Sequence, residues 1–176
     1  MRKAVGLMGL VLFLSVPLCA GDLPEFELFG GYSYLRSDFG STDRGYNGWG
    51  VSLTQNVNKW FGGVLDASGH YAAVNGIGSN VHTIMYGPVF SHRMKGNFTP
   101  FAHGLMGAVR GSQTYLGLSQ PKFAFGAAVG GGFDVRIRKV AAIRVVQVDY
   151  LFTPFLGVRQ DNVRLSTGLV FYFGQK

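Results

Sequence analysis

The sequence predicts an all-β protein, an eight-stranded antiparallel up-and-down transmembrane β-barrel preceded by a signal peptide. Three observations lead there. The N-terminus carries an export signal. The remaining chain divides into an even number of strand-like segments joined alternately by short turns and longer polar loops. Charged residues in mid-strand (Asp66, Asp134, Arg136, Arg164) fall on the same faces as Gly, Ala and Ser, apart from the Phe and Leu sets.

The signal comes first in the chain. Arg2 and Lys3 precede an uncharged apolar run from Ala4 to Leu18, followed by the small residues Cys19, Ala20 and Gly21. A positive start, a short hydrophobic middle and a small-residue exit mark a secretory signal peptide, 1–20, ahead of a barrel domain, 21–176. The run is shorter than the roughly 20 residues of a membrane-spanning helix. Acylation at Cys19 is a competing reading, but Leu18 occupies the place where a lipoprotein signal wants a small residue. Cys19 is the only cysteine, so removing the signal leaves no disulfide or thiolate metal site. Without Arg2 and Lys3 the mature chain has 14 basic and 9 acidic residues, 14 − 9 = +5. This charge is spread along the chain. Nucleic-acid binding needs a concentrated basic stripe, which is missing here.

Composition favours strands. The chain has 27 Gly, 15 Phe and 8 Tyr, residues poor in helices, and aromatics pack well on sheets. The strands are expected at Glu25–Arg36, Gly48–Gln55, Trp60–Tyr71, Val81–His92, Phe98–Arg110, Lys122–Ile137, Val140–Leu151 and Asn162–Phe173. Longer loops are expected at Ser37–Tyr46, Val74–Asn80, Gly111–Gln120 and Thr153–Asp161, opposite short turns at the other end.

Alternation assigns the faces. The last strand sets Asn162, Arg164, Ser166, Gly168, Val170 and Tyr172 against Val163, Leu165, Thr167, Leu169, Phe171 and Phe173. The sixth sets Ala124, Gly126, Ala128, Gly130, Gly132, Asp134 and Arg136 against Phe123, Phe125, Ala127, Val129, Phe133 and Val135. Small and charged residues suit the narrow interior of eight strands, and the bulky set suits lipid. In the fifth strand Phe101, Leu105 and Val109 are taken as lipid-facing and Arg110 as inward, which leaves His103 on the apolar side. Pro88 in the fourth strand suggests an edge or a bulge. Aromatics gather at both ends, with Trp60, Phe61, Phe90, Phe98, Phe133, Phe171 and Phe173 towards the periplasm. Tyr32, Tyr34, Trp49, Tyr71, Phe123, Tyr150 and Phe152 form the outer belt. These are the girdles of a membrane barrel. A lipocalin-like soluble barrel, with its faces reversed, is the alternative.

The lumen is expected to hold a polar network of Glu27, Asp66, Ser68, His70, Arg110, Asp134, Arg136, Arg144, Gln147, Asp149 and Arg164. Buried charges persist only when paired. Arg144 has the opposite parity to Gln147 and Asp149, so a bulge near Val145 and Val146 is expected to turn all three inward.

These features resemble the OmpA-type small outer-membrane barrels, in the short form without a periplasmic domain. The resemblance covers Glu25 to Phe173. Ser166, Gly168, Phe171 and Phe173 are similar to the assembly signal read by the barrel-assembly machinery, although Gly174, Gln175 and Lys176 follow the final aromatic. The resemblance implies a bacterial outer-membrane location, outer-membrane lipid and the assembly machinery as partners, and an unknown extracellular ligand met by the loops. Asp38, Asp43, Arg44, Tyr46, Tyr115 and Arg159 are the candidate contact residues. The expected role is structural or in surface interaction, with no cofactor. A narrow ion or small-solute channel is the alternative and a lipid-modifying enzyme the third reading. For the enzyme, Asp66, Ser68 and His70 alternate on one face as acid, nucleophile and base, a pattern better explained by interior polarity. His82, His92 and His103 lack metal-ligand spacing.

Overall fold

A computed structural model describes residues 24–38, 43–74, 77–93, 96–115, 118–155 and 158–175. The expected signal segment lies outside them. The strands are β1 (Pro24–Asp38), β2 (Asp43–Asn56), β3 (Phe61–Val74), β4 (Ile77–Ser91), β5 (Phe98–Tyr115), β6 (Leu118–Arg138), β7 (Ala141–Phe155) and β8 (Val158–Gln175). Each pairs antiparallel with the next, and β8 pairs with β1 to close the barrel. Closure gives every strand two partners, which hydrocarbon demands because it offers the backbone no hydrogen bonds.

The expected long loops are mostly strand. Pairing continues to Asp38↔Asp43, Val74↔Ile77, Tyr115↔Leu118 and Phe155↔Val158. About 10 tilted residues cross a bilayer, and these strands have 14 to 21, so the surplus forms hairpins that continue beyond it. Polar composition marked the segments as outside lipid, which is a different matter from being irregular.

The outer wall is apolar, with Leu28, Val51, Leu65, Ile84, Phe125 and Leu169 all exposed. Aromatic pairs band both ends. Trp60, Phe61 and Phe90 cluster at the end where β1 starts and β8 ends, with Phe98 against Phe133 and Phe26 stacked on Phe173. Tyr71 meets His82, and Tyr150 meets Phe152, at the other.

Two expectations about the strands need correction. Phe101, Leu105 and Val109 point inward with His103, and Arg110 points out. The lumen has room for them because the neighbouring β6 presents glycines there: a Cβ on Gly132 would lie 3.1 Å from the Phe101 ring. Phe29, Met85 and Tyr172 are also inside, so the interior is not reserved for small and charged groups. Pro88 lies on the outward face and causes no bulge. The β4–β5 register has the same offset at Tyr86↔Met106 and at Val89↔His103.

The bulge in β7 lies where it was expected. β6 pairs Phe133 with Val146 but Asp134 with Arg144, and β8 jumps from Arg144↔Gly168 to Gln147↔Ser166. Arg144, Gln147 and Asp149 are all buried. The Thr167 hydroxyl donates to the Arg144 carbonyl at 3.0 Å, answering an acceptor beside the break in the ladder.

At the closing seam, Gly31 of β1 lies opposite Gly168 of β8. A Cβ on Gly168 would run into the Gly30 carbonyl oxygen, and one on Gly31 into that of Thr167. Gly168→Val is expected to destabilise the folded barrel by about 1–3 kcal/mol through overpacking, as measured by urea unfolding of detergent-refolded protein.

Candidate functional site

The lumen of the barrel is built around Arg164, which is 1% exposed. It sits on the inward face of β8 and reaches across to β3. Its Nη1 donates to Asp66 Oδ1 at 2.7 Å and to Ser68 Oγ at 3.2 Å, and its Nε donates to Asp149 Oδ2 on β7 at 2.8 Å. His103 Nε2 of β5 lies 2.7 Å from Asp149 Oδ1. One cation thus ties two carboxylates, and the second carboxylate ties a histidine from a further wall.

The chain of polar contacts continues along β7. Gln147 Nε2 donates to Asp149 Oδ2 at 2.8 Å, and its Oε1 accepts from Arg144 Nη1 at 2.8 Å. Arg144 grips Asp134 with Nε and Nη2, at 2.9 and 3.1 Å. The same guanidinium lies between two rings, 4.5 Å from the Phe29 centroid and 4.2 Å from that of Phe101. Planar and delocalised, it satisfies a carboxylate with its edge and rings with its faces. The bulge makes this arrangement possible.

A smaller network flanks it. His70 Nε2 and Ser33 Oγ are 2.9 Å apart, as are Ser33 and Ser166 Oγ, and Ser68 Oγ lies 2.7 Å from Thr83 Oγ1. Ser68 and His70 therefore bond to different partners, and Asp66 is held by Arg164 in place of His70. The acid–nucleophile–base reading has no geometry behind it. Among the described residues, no group of three His, Asp or Glu side chains is placed to hold a metal ion.

Towards the end where β1 starts and β8 ends, Glu27 takes a cation that the sequence reading overlooked. Arg93 hydrogen-bonds it and also donates Nη1 to the Lys59 carbonyl at 3.0 Å, while Asn56 Nδ2 donates to Glu27 at 2.8 Å. An inward glutamate near a basic turn was the available signal. Arg136 stacks over Tyr172 at 5.1 Å, so its face is as expected but its partner is a ring. Arg110 leaves the network altogether. It points outward, stacked 5.7 Å over Phe123, because the parity of β5 is opposite to that expected. His103 moves the other way, from an assumed interface position into the lumen.

Of the candidate contact residues, Tyr46 is 1% exposed and packs inside with Leu35 and Leu105, so it is removed from the set. The side chains of Asp38, Asp43, Arg44, Tyr115 and Arg159 lie outside the described residues. In the assembly segment, Ser166 and Gly168 face in and Phe171 and Phe173 face out.

Arg164→Ala would leave Asp66 and Asp149 without their cation. Breaking a buried pair on one side costs about 3–5 kcal/mol, so the variant is expected to lose most of its resistance to urea in detergent, followed by tryptophan fluorescence.

No protein-family model matches the chain, and no curated protein matches it significantly. Solved structures do. Neisserial surface protein A aligns with a TM-score of 0.71 at 12% identity, over 85% of this chain and 97% of that one. The attachment invasion locus protein Ail of Yersinia pestis aligns at 0.61 and 18% identity, over 85% and 99%. The N-terminal β-barrel domain of Pseudomonas aeruginosa OprF aligns at 0.55 and 10%, over 85% and 98%. In fold, this chain is a small closed eight-stranded antiparallel β-barrel of the type those three structures represent.

Proposed function

We propose that this protein resides in the bacterial outer membrane, exported by a cleaved signal over 1–20 and inserted through its Ser166–Phe173 segment by the barrel-assembly machinery. There it acts as a structural or surface-contact protein whose lumen conducts nothing. The observation that carries this reading is the span of Arg164 from β8 to Asp66 on β3. That bridge crosses the bore and is extended by Asp149, His103, Gln147 and Arg144. A solute would have to break paired charges in a narrow interior to pass. The name of Neisserial surface protein A and that of Ail, an attachment invasion locus protein, support a role at the cell surface. Ail has also been solved with the heparin analogue sucrose octasulfate, at a TM-score of 0.59 to this chain, 18% identity and 85% and 99% coverage. With a mature charge of +5, a sulfated polysaccharide is the first loop ligand to test here.

The channel reading predicts discrete current steps; the filled-lumen reading predicts none. Purified protein in planar bilayers is expected to give a flat trace in molar potassium chloride, and reproducible steps would overturn the proposal. The enzyme reading is tested alongside. Wild type and Ser68→Ala are expected to leave phospholipid vesicles equally intact, as measured by released fatty acid.

A further inference from the structure

Towards the end where β1 starts and β8 ends, the lumen holds a polar cavity of about 10 Å³, room for one water-sized sphere. Its walls carry oxygens that nothing in the barrel answers. Ser52, Thr54 and Ser91 are buried and Thr99 is half-buried, and their hydroxyls have no hydrogen-bond partner among the described residues. Two carboxylate oxygens are open as well. Asp66 gives Oδ1 to Arg164 and keeps Oδ2, and Glu27 takes both Arg93 and Asn56 on Oε1 and keeps Oε2. Register brings these groups together. Thr54 stands opposite Glu27 across the β1–β2 ladder, and Ser52 opposite Asp66 across β2–β3. Side chains paired in this way lie about 5 Å apart at Cβ.

The charges point the same way. Glu27 is paired with Arg93 and Asp134 with Arg144, while Arg164 serves both Asp66 and Asp149. Arg136 lies over the Tyr172 ring and joins none of them. Four carboxylates share three guanidiniums, 4 − 3 = 1, and the shortfall falls beside Asp66, on the cavity wall. A buried charge without its counter-ion and a buried hydroxyl without a partner are both costly. Water would answer the hydroxyls and leave the charge. A proton on His103 would supply the charge and leave the hydroxyls. One small cation held by oxygens removes both penalties. Among the described residues no three His, Asp or Glu side chains converge, so the lining suits a singly charged ion over a divalent one, which wants more carboxylates. A sodium or potassium ion is no larger than a water molecule. Arg144 also lines the cavity, but its edge is on Asp134 and Gln147 and its faces are on Phe29 and Phe101.

We propose that Asp66 and Glu27, with the hydroxyls of Ser52 and Thr54, hold one alkali cation, sodium or potassium, in the lumen. The ion enters from the end where β1 starts, because Leu35, Tyr46, Val109 and Leu151 pack the bore on the other side. The site is thus a dead end. It goes beyond the surface role proposed above and does not depend on it.

The test unfolds the detergent-refolded barrel in urea with the chloride salt of sodium, of potassium or of N-methylglucamine, a cation too large for the cavity, at equal concentration. Wild type is expected to unfold at higher urea in sodium or potassium chloride than in the N-methylglucamine salt. A site half filled at about 10 mM shifts the folding equilibrium about tenfold at about 100 mM salt. Whichever alkali salt gives the larger shift identifies the ion. Thr54→Val and Ser52→Ala should each fold, by the mobility shift on boiling, and each should lose that difference. Thr54→Ser, which keeps the hydroxyl, should retain it. Equal midpoints for wild type in all three salts would overturn the proposal, since water or a protonated His103 would then suffice. A salt difference that persists undiminished in T54V or S52A would overturn it too, by placing the ion elsewhere. Two separate hydroxyl variants keep the test decisive should one of them fail to fold.

Discussion

A guanidinium in the bore of a barrel must be answered from several walls at once. Arg164 is answered by Asp66 on β3 and Asp149 on β7, with Ser68 taking a further hydrogen bond. Removing charges from water costs several kcal/mol per ion even after relaxation, and only close pairing with full hydrogen bonding offsets that. The interior is arranged accordingly. Asp149 receives Arg164, His103 and Gln147, and Gln147 passes the chain on to Arg144 and Asp134. Strands that are not neighbours in the ladder are thereby tied through the middle, which backbone pairing alone does not do.

The bulge in β7 belongs to the same constraint. Regular pairing would put either Arg144 or the Gln147–Asp149 pair into hydrocarbon, at about 2–4 kcal/mol for an arginine near the midplane. Inserting one residue costs a break in the ladder, which the Thr167 hydroxyl partly mends. The comparison of magnitudes favours the bulge, since one hydrogen bond is worth about 1 kcal/mol. Valines at 145 and 146 fill the break with side chains that lipid accepts.

How legible this was depended on the strand. In β6, glycine and alanine alternate with phenylalanine, and the faces follow without ambiguity. In β8 a single arginine in mid-strand decides them. In β5 two polar residues of opposite parity compete, His103 and Arg110, and hydropathy alone sided with the wrong one. Depth separates them. His103 lies in mid-strand, where only the lumen can receive it, and Arg110 lies at the rim, where the outer face tolerates it. Counting residues from the Phe98 girdle would have given the right parity. The size rule failed too, because it judged each strand alone, and Phe101 fits inside only through glycines on the strand beside it. Arg93 was missed for a related reason. It belongs to a turn, and turn residues have no face to read.

The ionic interior also explains why this register is chosen over its neighbours. Slipping a strand by one residue exchanges its two faces. With an apolar lumen, packed only by side chains such as Leu35, Met85 and Leu105, such a slip would exchange one apolar set for another at little cost. With Arg164, Asp66 and Asp149 inside, the slipped strand would carry a charge into lipid and leave its partners unpaired within. The penalty falls on every slip by an odd number of residues and on none of the contacts of the right register. Paired charges that add little net stability over a well-packed apolar core thus still separate the native barrel from its near alternatives, and Arg110 escapes the rule only because it stands where the hydrocarbon ends.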